Sequence, residues 1–438
     1  MAGIVPFRAL RYDLRKARAP LGDLVAPPYD EISVDDQEAL HRRNPHNVVR
    51  LILGRESDGD GPADNRYTRS ARLLKEWIDS GILREDAALA YYVYEQVFER
   101  KRGRPARTHA FARRGVLAAM KLEPFGTGSV YPHEETFPPR KADRLQLIRA
   151  CRANLSPVFG LVPDEGPISK YLALAATQRP PDAEVREENG VLNRVWAVND
   201  PSFIRGLTDA MAPRNVIVAD GHHRYETACA YRKERRDQAT SQSPQPFDYV
   251  LTMCVPMNDP GLLVLPTHRL VQPEPEFDLE GFLQSVAPFF DRQPAEEAEL
   301  HALSESHEGP VAFGLVSHAG HPLKLTARPA VEEAMRCAAP QKSAAWRGLD
   351  AAILQELLLR KMLVQEQHPP MTHRGLCFTH DVEDVLAVVR RGACRFGFVM
   401  RPTTLEQVRR VAEQGECLPQ KATCFMPALL SGLVMRRL

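Results

Sequence analysis

The chain has almost no excess charge of either sign: 57 Lys and Arg stand against 56 Asp and Glu, a net of +1 over 438 residues. A chain so balanced has little of the sequence-independent affinity that nucleic-acid binders draw from phosphate contacts. Its basic residues are mixed with acids throughout, which disfavours an amphipathic membrane anchor. No run of about 18 apolar residues occurs, and the basic start, MAGIVPFRALRYDLRKARAP, lacks the continuous apolar stretch of an export signal. The expectation is a soluble, cytoplasmic protein that binds neither nucleic acid nor membrane. No two of the eight cysteines (151, 229, 254, 337, 377, 394, 417 and 424) are separated by two residues, which excludes a zinc ribbon or a thioredoxin-type pair and leaves reduced thiols as the simplest reading.

Common catalytic signatures are missing as well. There is no GxxxxGK[ST], no GxGxxG between strand and helix, no HRD or DFG pair, no GxSxG and no HExxH. His133-Glu134 continues as Glu135-Thr136-Phe137, so the second histidine that would place two metal ligands on one helical face does not exist.

What is present is enough to build more than one core. Hydrophobic residues make up 44% of a chain longer than the roughly 250 to 300 residues at which single cores stop growing. The 36 prolines are scattered through short motifs and mark ordered turns. Ser33 with Asp36 predicts a capped helix, and Tyr67, Ala71, Leu74 and Ile78 keep helical spacing until Gly81. Residues 91–98 read as a strand, 116–122 as another, and 141–152 as a helix. Residues 100–107 form a short basic turn without interleaved aromatics, favouring a solvated hairpin tip over a nucleic-acid patch. Residues 271–278 look like a linker. Beyond it the pattern predicts a strand over 310–316, an apolar helix over 349–363, helices over 382–390 and 404–414, and a strand over 394–400. No internal repeat is found.

The most informative segment is a strand over 215–219 running into Asp220-Gly221-His222-His223-Arg224 and then a helix. A helix starting there exposes unpaired N–H groups and a positive dipole end, to which two imidazoles and a guanidinium add donors. Gly221 permits close backbone approach, and Asp220 is placed to hold a metal or orient a hydroxyl. The competing reading makes Asp220 a helix N-cap and the histidines surface residues.

Strand, DGHHR and helix resemble the nucleotide-phosphate motif of the ParB/sulfiredoxin-like superfamily. The whole chain resembles a bacterial and archaeal family catalogued as a domain of unknown function, number ten-fifteen. That resemblance runs through Ala26-Pro27-Pro28-Tyr29-Asp30, His133-Glu134, Lys141, Asp143-Arg144, residues 220–225, Leu265-Pro266-Thr267-His268-Arg269 and Pro419-Gln420-Lys421. Within the superfamily the pattern is similar to the free serine kinases. Their Pro-His-Glu box, with its catalytic glutamate, is matched by Pro132-His133-Glu134, their DGHHR box by residues 220–224, and their terminal Pro-Lys-Thr-Thr by residues 419–423. Ala422 replaces a threonine of that last box, and Phe425 stands where the kinases have a histidine.

The resemblance implies an α/β (mixed α+β) fold, with an N-terminal α/β region at 1–111 that the kinases lack. A ParB/sulfiredoxin-like catalytic and nucleotide-binding core at 112–272 and a C-terminal α/β substrate-binding domain at 273–438 follow. It implies a small-molecule kinase that phosphorylates the hydroxyl of a free amino acid, L-serine being favoured, with ATP or ADP as donor and Mg²⁺ as cofactor. Glu134 and Asp220 would be catalytic and Asp220 the metal ligand. Asp220, Gly221, His222, His223 and Arg224 would bind nucleotide phosphates. Lys421, Thr423 and His268 would bind substrate, Lys421 supplying the cation that an amino-acid carboxylate needs. Two other readings stand beside it: a ParB-like nucleotide-dependent binding module, and a metal-dependent phosphohydrolase built on His133, His222, His223 and Asp220. The Pro27-Pro28-Tyr29-Asp30 turn reads either as a packing turn, which is favoured, or as a wall of the acceptor site.

Overall fold

The computed structural model describes residues 3–102, 107–136, 138–273, 276–318, 320–363 and 375–438. The fold is mixed α/β, built on two sheets. In the larger, nine-stranded sheet the strands lie in the order Val130–Pro132, Val216–Asp220, Val158–Val162, Tyr249–Pro256, Arg107–Lys121, Tyr91–Arg102, Leu192–Val198 and Ala183–Arg186, with Ile4–Val5 pairing the near end of Arg107–Lys121. The six-stranded sheet has the order Phe290–Pro294, Leu323–Ala327, Ala312–Ser317, Phe396–Val399, His268–Val271 and Leu376–Thr379.

Both faces of the large sheet are covered, which explains why its central strands read as apolar runs instead of alternating. Tyr91, Val93, Val116, Ala118 and Met120 pack on one face. Tyr92, Tyr94, Leu117 and Ala119 pack on the other. The strand expected at 91–98 extends to Arg102 and pairs antiparallel with Arg107–Lys121 down to Arg102 opposite Arg107. The tip of this hairpin, 103–106, lies outside the described residues, as do 274 and 275 of the expected linker.

Local signals place several helices. Ser33 and Asp36 form the expected reciprocal cap on Val34–Arg43. The helix Arg66–Asp79 is followed by Gly81 at φ +76°, a conformation that suits glycine. Thr404 and Gln407 cap Leu405–Glu413 in the same reciprocal way. The apolar helix expected at 349–363 is not uniform: Asp350–Ile353 widens into a π turn at Leu354–Leu359 before Arg360–Met362. The strand Arg107–Lys121 runs across the expected division at 111/112, and His268–Val271, ahead of residue 273, belongs to the C-terminal sheet. Among the described residues, no helix is long and apolar enough to cross a membrane.

The last twenty residues thread back through the whole molecule. Cys424–Met426 pairs antiparallel with Leu263–Leu265, Ser431 bridges to Ala26, Met435 to Leu10, and Arg436–Arg437 to Ala153–Asn154. Where this tail meets the large sheet it is held by Arg113, which is 0% exposed. Its guanidinium donates to the carbonyls of Met426 and Pro427 and to the side-chain oxygen of Gln96, and it stacks 4.8 Å from the Phe159 ring centroid. Gln96 in turn donates to the Ala428 carbonyl at 2.8 Å. Burial pushes the Arg113 pKa down to about 10, so the group stays charged at neutral pH. Arg113→Leu keeps much of the volume but strands three buried acceptors, so it should cost at least about 3 kcal/mol of unfolding free energy in urea. A loss below about 1 kcal/mol would show that the tail is held by other contacts.

Candidate functional site

Two strand ends bring the predicted residues together. Val130–Pro132 runs parallel to Val216–Asp220, with Val130 opposite Val216 and Pro132 opposite Val218. Parallel neighbours release their chains at the same sheet end, so His133-Glu134 emerges beside Ala219-Asp220 although 86 residues separate His133 from Ala219 in sequence. The helix His222–Gln238 follows at once. Gly221, at φ +82°, occupies its N-cap position and contributes no side-chain cap, so the first-turn N–H groups ahead of the Tyr225-to-Gly221 bond are not capped by it. Asp220 is the last residue of the strand, not the N-cap.

His133 and His222 are buried, not surface residues, and His223 is half-buried. His133 is 2% exposed and His222 7%. The Val218 carbonyl can only accept, so His133 Nδ1 carries the proton at 2.6 Å, leaving Nε2 to accept from the Thr423 hydroxyl at 2.7 Å. His222 Nε2 accepts from the His133 backbone N–H at 3.2 Å, and the two rings lie 4.7 Å apart. Burial lowers the pKa of both imidazoles, that of His222 further because His133 and His223 lie beside it. Burial, then the charge of Arg140, brings His223 down to about 4. All three are neutral at physiological pH.

Arg224 lies behind the turn. Its guanidinium donates to the Pro157 carbonyl and, at 2.5 Å, to Asp220, while a Cβ on Gly221 would stand 2.9 Å from its Nε. The guanidinium therefore supports Asp220 from below, and the Asp220 side chain remains 48% exposed. Behind it a cavity of about 60 Å³ is lined by Tyr29, Arg144, Ser156, Arg224 and Thr227 among others, large enough for ordered water.

The C-terminal tail supplies the opposite wall. Leu418 N donates to the His133 carbonyl at 2.8 Å, and Phe425 sits edge-on to the rings of His133 and Phe159. Lys421 is exposed at the corner of a turn closed by Ala422 N to Pro419 O, with a φ of +56° that non-glycine residues rarely adopt. The Thr423 hydroxyl is engaged on His133. His268 stands apart from this group. It is 0% exposed, accepts from Met400 N at 3.1 Å through Nδ1, and among the described residues leaves Nε2 without a hydrogen-bond partner.

Two carboxylates that sequence reasoning did not assign to the site belong near it. The Pro27-Pro28-Tyr29-Asp30 turn closes with Glu31 N on Pro28 O, and Tyr29 packs under Arg144, whose Cζ lies 3.9 Å from the ring centroid. That is the packing role expected of it. The same turn carries Asp30 and Glu31 into the field of Asp220. Both reach solvent from within surrounding protein, and that enclosure, followed by the charge of Asp220, pushes both carboxyls up, Glu31 to about 7. The only sequence signal was two acids directly after a rigid turn. Among the described residues, no group of three or more His, Cys, Asp or Glu stands where it could together hold a metal ion, and both ring nitrogens of His133 and the Nε2 of His222 are hydrogen-bonded inside the protein.

The neutral imidazoles set a pH dependence. A histidine whose folded pKa is depressed binds its proton more readily in the unfolded chain, so stability is complete above about pH 6.5 and is lost as pH falls below it. His222, buried and well below its ordinary value, should alone remove on the order of 1 kcal/mol between pH 7.5 and 5.5. Denaturant midpoints at the two pH values should show this loss, and His222→Asn should flatten the difference by that amount. An unchanged slope in the variant would mean that His222 titrates normally.

A family model described as "Protein of unknown function (DUF1015)" matches residues 4–352, so the tail that carries Lys421 lies beyond the matched span. In structure the chain is similar to a conserved hypothetical protein from Pyrococcus furiosus, at 14% identity over 69% of this chain and 89% of that one, with a TM-score of 0.33. It is also similar to a free serine kinase in complex with AMP, at 13% identity over 68% of this chain and 84% of that one (TM-score 0.33). SbnI with C-terminal truncation from Staphylococcus aureus gives 12% identity over 70% of this chain and 83% of that one (TM-score 0.30). No curated protein matches. With most of its length covered by that one model, the chain belongs to the family described as protein of unknown function, DUF1015.

Proposed function

We propose that the protein is a phosphotransferase that moves the terminal phosphoryl group of ATP or ADP to the hydroxyl of a free amino acid, with L-serine the favoured acceptor. The observation that carries this reading is the parallel strand pair that delivers Glu134 and Asp220 to one sheet end, next to a helix N-terminus whose N-cap is a bare glycine. Such a terminus offers backbone N–H groups and a positive dipole end to phosphate oxygens.

Phosphoryl transfer asks the protein mainly for positioning and electrostatics. In the proposed reaction the acceptor hydroxyl oxygen bonds to the terminal phosphorus as the bond to the nucleotide's leaving oxygen breaks, and the hydroxyl proton passes to Glu134. Asp220, half exposed and held from below by Arg224, would hold Mg²⁺ jointly with phosphate oxygens, an arrangement that needs only one or two protein carboxylates. The cation would supply charge neutralisation. Lys421, exposed on its turn and without an ion pair among the described residues, supports recognition of the acceptor carboxylate. Thr423 then acts by fixing that segment to His133. The region 1–111 would contribute Asp30 and Glu31 to the same surroundings.

Incubation with nucleotide, Mg²⁺ and a pool of amino acids, followed by mass spectrometry, should reveal one phosphorylated amino acid. Free phosphate alone would indicate a phosphohydrolase instead, and neither product would leave a binding module. Glu134→Gln keeps the shape of the side chain but cannot accept a proton, so turnover should fall by about 10² to 10⁴ with nucleotide affinity nearly unchanged. A variant that keeps most of its activity would remove Glu134 from the chemistry.

A further inference from the structure

The turn that bears Lys421 is held by a second buried arginine, from the other sheet. Arg269 is 4% exposed and lies on the strand His268–Val271. Its Nη2 donates to the Lys421 carbonyl at 3.0 Å and reaches the Gln420 carbonyl at 3.5 Å, its Nη1 donates to the Thr267 carbonyl, and its Cζ lies 5.0 Å from the Phe378 ring centroid. Among the described residues it forms no ion pair, though the charge of Glu134 acts on it. A buried guanidinium spent on main-chain carbonyls is a costly way to cover a loop, since a hydrophobic side chain would fill the space without desolvating a charge. It does secure something an apolar residue cannot, which is the orientation of one particular peptide.

That peptide is Lys421, whose left-handed backbone, at φ +56°, is uphill for a lysine. The conformation is kept from both sides, by Arg269 on the Lys421 carbonyl and by the Thr403 hydroxyl on the Ala422 carbonyl at 2.8 Å. Arg269 therefore holds the backbone from which the Lys421 side chain departs, through a hydrogen bond to its carbonyl, and the charge of Glu134 acts on the same guanidinium.

We propose that Arg269 is a positioning residue that sets acceptor selectivity: by fixing the Lys421 turn it aims a cation at the acceptor's carboxylate, so that hydroxyl compounds lacking one are discriminated against. This rests on the phosphotransferase reading above and adds to it the chemical feature that is read and the residue through which reading is enforced.

The test compares L-serine with ethanolamine, which keeps hydroxyl and ammonium but has no carboxylate, as acceptors at saturating nucleotide. Lys421→Ala should raise the KM for serine by at least about tenfold and leave that for ethanolamine unchanged, narrowing the ratio of the two kcat/KM values. Arg269→Ala should narrow the same ratio by at least about fivefold with little change in nucleotide affinity, and Arg269→Lys, which can still donate to one carbonyl, should recover part of it. In the Lys421→Ala background, the Arg269 substitutions should narrow it no further, since coupled residues are non-additive. If Arg269→Ala does not fold, Arg269→Lys alone and in the Lys421→Ala background decides the matter. Folded Arg269 variants with wild-type discrimination, while Lys421→Ala loses it, would overturn the positioning role and leave the proposed activity standing. Discrimination untouched by Lys421→Ala would overturn the inference with phosphoryl transfer intact, and absence of transfer to any hydroxyl amino acid would overturn the underlying reading.

Discussion

Buried guanidinium groups holding main-chain carbonyls are the constraint on which the rest of this structure depends. Arg113 in the large sheet grips the tail at Met426 and Pro427, and Arg269 in the small sheet grips it at Lys421. Neither forms an ion pair among the described residues; both are held by carbonyls and an aromatic face, and burial brings both down to about 10. Planar guanidinium suits this role because its donors form a fixed fork that can serve several acceptors at once. Between the two grips Thr423, and just ahead of them Leu418, tie the tail to His133 on the strand end that carries Glu134. The catalytic candidates are thus not on one rigid element but at a junction of three chain segments.

The electrostatics of that junction follow from who is paired and who is not. Arg224 is committed to Asp220 and Pro157, the neutral His133 ring to the Val218 carbonyl and to Thr423, and Nε2 of the neutral His222 to the His133 backbone N–H. The DGHHR segment is then largely a scaffold: most of its side chains hold the turn from inside, and the part left for a ligand is the backbone at the helix start and the exposed half of Asp220. Asp30 and Glu31 add negative charge from the N-terminal region, and the mutual repulsion of these carboxylates with Asp220 is partly met by Arg224 and, for Glu31, by Lys421.

Much of the local structure was legible in advance because its causes are local. The reciprocal cap at Ser33 and Asp36, the stop at Gly81 and the strand-turn-helix at residue 220 all depend on residues within one or two turns of each other. The expected single helix at 349–363 failed to be uniform because its interior widens at Leu354–Leu359, which apolar spacing does not report. The histidines of DGHHR were read as donors to a ligand; one nitrogen of His222, Nε2, accepts from the His133 backbone, and no local pattern distinguishes a ring nitrogen that faces outward from one that faces His133.

The sequence by itself determined the boxes, the residue types in them and the elements that carry them, since hydrophobic period, caps and turn residues act over a few positions. Tertiary structure alone decided which boxes meet. The bond from Thr423 to His133 joins residues 290 apart and that from Arg113 to Pro427 residues 314 apart, and nothing in either neighbourhood encodes the partner. Such contacts arise only when the chain's path brings the ends of two parallel strands and a returning tail to one place. Charge pairing, burial and the pKa of each group then follow from that arrangement, because they depend on which protein atoms replace water around a charge.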